Sequence, residues 1–133
     1  MTIREFISQA PTERQELFAA IHETIVANDP SVNPVIKPMM GKDMILYEER
    51  CVMKYGLADT KKYISLHCLP IYMNAGLHAK YLALLPDAQF QKGCVNFTDA
   101  AQMPLATVAA FIAECSAINI AEVLANRKKK SKG

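Results

Sequence analysis

Residues 54–97 read KYGLADTKKYISLHCLPIYMNAGLHAKYLALLPDAQFQKGCVNF, and this stretch decides the fold. Within it, Tyr63-Ile64-Ser65-Leu66-His67-Cys68 alternates with a period of two. Successive side chains of a strand point to opposite faces, so Ile64, Leu66 and Cys68 are expected inside and Tyr63, Ser65 and His67 outside. Gly93-Cys94-Val95-Asn96-Phe97 repeats the pattern after a Lys92-Gly93 turn signal, with Val95 and Phe97 inward and Cys94 and Asn96 outward. Between the two strands, Leu77, Tyr81, Leu84 and Leu85 recur at helical spacing until Pro86-Asp87 ends the helix.

Working outward, further strands are expected at 44–47 and 51–57. The polar Asp59-Thr60-Lys61-Lys62 loop joins the latter to the strand at 63–69, and neighbouring strands pair as an antiparallel meander. Upstream, Thr2 with Glu5 and Thr12 with Gln15 have capping-box spacing, which predicts helices over 2–9 and 12–28. Pro30, Pro34 and Pro38 then disfavour helix in the residues before them and predict a loop over 30–42. Downstream, a helix begins near Pro104 and carries Leu105, Val108, Ile112 and Cys115 on one stripe; Asn119 with Glu122 caps a last helix over 120–127. Strands in the middle with helices before and after predict a two-layer α+β domain over 1–126. One face of its antiparallel sheet, mainly four- to five-stranded, is covered by helices and the other is open.

The chain has 133 residues, 51% hydrophobic and 21% charged, within the globular range and enough to withdraw roughly two thirds of its unfolded surface from water. No apolar run approaches the roughly 20 residues of a membrane helix, and Met1-Thr2-Ile3-Arg4-Glu5 lacks the plan of a secretory signal, so a cytoplasmic setting is expected. Cys51, Cys68, Cys94 and Cys115 are scattered singly and read as reduced thiols. Arg127, Lys128, Lys129, Lys130 and Lys132 concentrate positive charge at the C-terminus, leaving a mildly acidic body; 127–133 reads as a disordered, solubilising tail. No basic stripe with interleaved aromatics extends it, which argues against a nucleic-acid partner.

Taken in order and spacing, Lys37-Pro38-Met39-Met40-Gly41, Tyr63-Ile64-Ser65-Leu66, the helix around Tyr81-Leu82, and Lys92-Gly93-Cys94-Val95-Asn96-Phe97 give the chain a resemblance to the YdhG-like family of small bacterial domains, over about residues 15 to 118. The resemblance implies a frataxin-like α+β fold with a curved sheet, a cytosolic setting and no established enzymatic activity. It also brings in an intracellular iron-carrier role proposed for part of that family. Asn96 departs from the pattern, which often has a basic residue between the two apolar positions of the last strand.

Three functional readings follow. In the first, the open sheet face recognises a small polar molecule or partner segment through Lys54, Tyr63, Ser65, His67 and Asn96, a set that mixes a cation, an imidazole, hydroxyls and an amide. The bland counterpart is a merely solvated face. In the second, Glu13, Glu16 and Glu23 form an acidic strip on the helix over 12–28 that would hold iron or another hard cation, with no other cofactor expected. Three exposed carboxylates without a cage bind such ions weakly. In the third, Met39, Met40 and Met73 form a self-association patch that would pair two copies. There is no nucleophile elbow, Gly-rich phosphate loop or paired Cys-x-x-Cys, and hence no catalytic signature.

Overall fold

A computed structural model of the chain describes residues 1–39 and 41–132, with side chains described as far as Asn126. Two helices open the fold, α1 (Ile3–Ser8) and α2 (Thr12–Asn28). Thr2 caps α1 as its spacing requires, accepting the Glu5 N–H at 3.0 Å. The second box does not form. Thr12 is already inside α2, Pro11 stands at the cap position, and Gln15 Nε2 instead donates to the Ser8 and Ala10 carbonyls.

Four strands follow as hairpins: β1 (Asn33–Met39), β2 (Lys42–Glu49), β3 (Val52–Asp59) and β4 (Ile64–Cys68). After β4 come α3 (Leu69–Met73), α4 (Ala75–Leu84), the two-residue β5 (Gln89–Phe90) and β6 (Cys94–Phe97). A short 3-10 turn over Ala100–Gln102 leads to α5 (Leu105–Ser116) and α6 (Ile120–Lys132). The sheet is open, six-stranded and antiparallel, in the order β1-β2-β3-β4-β6-β5.

The sheet has six strands against the four to five expected; β1 and β5 are additional to the four strands placed from the sequence, and β1 replaces the loop expected over 30–42. β1 forms despite Pro34 and Pro38 because it lies at the sheet edge and pairs with β2 alone. The two prolines are four residues apart and so point their ring nitrogens the same way, outward, where no ladder donor is needed. The β1–β2 turn passes through Gly41 at φ +80°, a left-handed conformation that glycine adopts without a Cβ penalty. The basic run expected as a tail is helical in backbone, since α6 continues to Lys132 rather than stopping at 127.

The core lies between one sheet face and the helices. Phe18, Ile21 and Ile25 of α2 and Val108, Phe111 and Ile112 of α5 meet Ile45, Tyr47, Tyr55, Leu57, Ile64, Leu66, Val95 and Phe97 of the sheet. Each of these large side chains contributes roughly 1.5–3 kcal/mol by leaving water. Cys68 and Cys115 are buried here as free thiols with their sulfurs 3.9 Å apart. Among the described residues, no single helix is long and apolar enough to cross a membrane.

Candidate functional site

Among the described residues, those packed on the sheet's other face come from strands and not from helices. Register places Ser65 opposite Asn96 and His67 opposite Cys94 across β4 and β6, with Ala58 and Gly56 of β3 on the far side of Ser65 and His67. The alternation read from the sequence therefore holds for Tyr63, Ser65, His67 and Asn96: all four line one hollow of ≈ 230 Å³ on this face.

Lys54 does not join them. Tyr47 pairs with Tyr55 and Glu48 with Met53, so Lys54 is the extra residue of a β-bulge. A bulge aims two successive side chains to the same side, and here Lys54 follows Tyr55 toward the helices. Lys54 is wholly buried, with its Nζ 2.9 Å from Asp29 and 3.2 Å from Glu49. Expecting it on the open face assumed an unbroken period of two, which β3 does not have.

Nor is the hollow simply a wet face. Met44, Leu46 and Ala58 are buried on this side, and among the described residues it is the strand residues Val35, Met39 and Met53 that pack against them. Gly56 leaves room for this, since a Cβ there would lie 3.2 Å from Met44 Sδ and 3.6 Å from His67 Cβ. The face thus has an apolar half and a polar half that meet at the hollow, where Met39 and Met44 lie across from Ser65, His67, Cys94 and Asn96. Met44 was not legible as a site residue by chemistry. Its position opposite to Ile45 and Tyr47 in the period-two pattern was the available signal.

In the polar half, Tyr63, His67 and Cys94 are half-buried and two groups are nearly dry. Ser65 and Asn96 are 5% and 3% exposed, and among the described residues Asn96 Oδ1 is the buried side-chain oxygen or nitrogen left without a hydrogen-bond partner. Burial lowers the His67 pKa, so the imidazole is neutral at pH 7. Burial also pushes the Cys94 thiol up, against a smaller opposing effect from Ser65, and that thiol donates to Gln91 Oε1 at 2.9 Å. Cys94 is thus a protonated thiol beside a neutral imidazole, not an activated nucleophile. At the rim, Lys42 Nζ donates to the Asp59 carbonyl; the Asp59 carboxylate lies outside the hollow and accepts from Arg14 at 2.8 Å.

A larger hollow of ≈ 290 Å³ lies near α1, where Phe6, Phe18 and Ala10 meet Lys42 and Asp59. Of its ionic groups, Asp59 is paired with Arg14 and Lys42 donates to the Asp59 carbonyl, while Asp43 lines it as an exposed surface carboxylate. Glu13, Glu16 and Glu23 are exposed along α2, and among the described residues no three His, Cys, Asp or Glu side chains converge to hold a metal ion. The structure does not bring the acidic strip together as a cage. Of the proposed methionine patch, Met39 belongs to the hollow and Met73 is half-buried, while Met40 lies outside the described residues.

Fold and site together define an α+β domain whose sheet carries a hollow of ≈ 230 Å³ on the face away from the core. No family model matches the chain, no curated protein matches its sequence, and no solved structure matches it.

Proposed function

We propose that this chain is a small-molecule-binding domain, a cytoplasmic bacterial protein of the YdhG-like kind, whose ligand surface is the uncovered sheet face and which binds rather than catalyses. The observation that carries the reading is Asn96 Oδ1. A buried amide oxygen without a partner costs about 1–3 kcal/mol, and such a cost in the middle of a strand is understandable where a visiting group supplies the bond. Ser65, His67 and Cys94 offer further uncharged donors and acceptors at the same place, and Met39 and Met44 give an apolar wall. Four free thiols suit a reducing compartment.

The test is a two-dimensional NMR screen of mixed polar metabolites against the ¹⁵N-labelled chain. Shifts clustered at Tyr63 to His67 and Cys94 to Asn96, and lost in the His67→Ala, Asn96→Ala double variant, are expected. Shifts confined to the groove near α1, or to Glu13, Glu16 and Glu23 on adding ferrous iron, would move the site elsewhere.

A further inference from the structure

The floor of the hollow offers an acceptor that the fold leaves unused, because Asn96 is 3% exposed and its Oδ1 has no partner. An occupant must therefore bring a hydrogen-bond donor to that atom. The remaining polar groups at depth, Ser65, His67 and Cys94, carry no charge that would balance an ion. Lys42 is the charged residue of the lining; it stands exposed at the rim and donates to the neutral Asp59 carbonyl, away from the floor. A charged group brought down to Asn96 would lose hydration without a counter-charge beside it, so the floor selects against ions.

Shape narrows the class further. Met39 and Met44 present thioethers, which make favourable contacts with aromatic rings, and the missing side chain of Gly56 lets Met44 Sδ lie low over the sheet. The volume, ≈ 230 Å³, is just under the range of about 300–1,000 Å³ that holds drug-sized ligands. One or two rings fit.

Resting on the reading of this face as a ligand surface, we propose that the hollow takes a small, uncharged, planar heterocycle whose ring N–H donates to Asn96 Oδ1 while its face lies against the Met44 thioether. Since Oδ1 is closed off from solvent, entry displaces a flexible cover. Met39, Lys42 and Gln91 are long unbranched side chains of the lining, half-buried or exposed, that can swing aside while Met44 stays packed.

The experiment uses the full chain labelled with ¹⁵N and with ¹³C at the methionine methyls. It is titrated with 2-pyridone, with N-methyl-2-pyridone, which keeps the shape and lacks the donor, and with benzoate, which is anionic. The proposal expects 2-pyridone to shift the Met44 methyl and the amides of His67, Cys94 and Asn96, with N-methyl-2-pyridone weaker by about tenfold, the worth of one hydrogen bond to a buried acceptor, and benzoate inert. Asn96→Val is expected to weaken 2-pyridone to the level of its N-methyl analogue. Equal binding of the two pyridones by the unaltered chain, or preference for benzoate, overturns the proposal while keeping the hollow as a binding site. Silence of the hollow's resonances toward all three overturns the proposal and the binding reading together.

Discussion

Lys54 Nζ lies 2.9 Å from Asp29 Oδ2, and neither side chain reaches solvent. Around this contact, Tyr55 Oη donates to Asp29 at 2.7 Å, Glu49 Oε2 accepts from Lys54, and Glu49 Oε1 accepts the Ala121 N–H at the start of α6. The bulge thus fastens the end of α2, the β2–β3 hairpin and α6 through one ammonium group. Removing one member of a buried ion pair leaves the other charges uncompensated, at a cost of about 3–5 kcal/mol. Lys54→Met should lower stability by that amount in urea unfolding. A loss under about 1 kcal/mol, the worth of an exposed pair, would mean the lysine is not sealed in.

Acid should undo the same cluster. Burial by itself pushes the Asp29 carboxyl up, but hydrogen bonds from Ser31, Tyr55 and Lys54 outweigh it and hold the group below its ordinary value. Glu49 is likewise pushed up by burial and held low by Ser31, Lys54 and the Ala121 N–H. Folded values below unfolded ones give a stabilisation that is complete above the unfolded carboxylate range near pH 4 and lost as pH falls through the folded values. Thermal melts should therefore decline below about pH 4, and Asp29→Asn should flatten that decline. An unchanged slope in the variant would contradict the assignment.

The β2–β3 hairpin turns through Arg50 and Cys51, at φ 50° and 65°. Positive φ at both central positions marks a type I′ turn, which Asn-Gly fits and bulky residues resist. Replacing the pair by Arg50→Asn with Cys51→Gly should stabilise the chain by roughly 1–2 kcal/mol. Destabilisation in chemical denaturation would show that Arg50 or Cys51 makes a compensating contact.

Pro34 and Pro38 leave the outer edge of β1 poor in N–H donors, so a further strand cannot add there. The Pro34→Val, Pro38→Val double variant restores those donors. Light scattering after gel filtration should show greater concentration-dependent association than in the parent chain. Equal behaviour would place the barrier to edge pairing elsewhere, for example in Lys37.

What was legible in the sequence was whatever obeyed a clean period. Ile64 to Cys68 and Cys94 to Phe97 keep strict alternation, and their faces are as read. Asn119 likewise caps α6 as expected, accepting the Glu122 N–H at 2.9 Å. Legibility failed where a local irregularity or a tertiary partner took over. The bulge at Lys54 reverses a side chain without any mark in composition, and β1 is a strand only because β2 lies beside an edge that tolerates proline. Among site residues, the polar ones on β4 and β6 were readable. Met44 and Gly56 were not, because their part depends on which strand lies next to His67.

The central claim is that Asn96 is kept for a visitor and not for the fold. Urea unfolding of Asn96→Val against the unaltered chain tests it most directly, because an unpartnered buried oxygen is a cost that the apolar residue removes. Stabilisation of about 1–3 kcal/mol is predicted. A loss of similar size would mean that the amide braces the sheet through an internal partner and that the hollow's floor is structural.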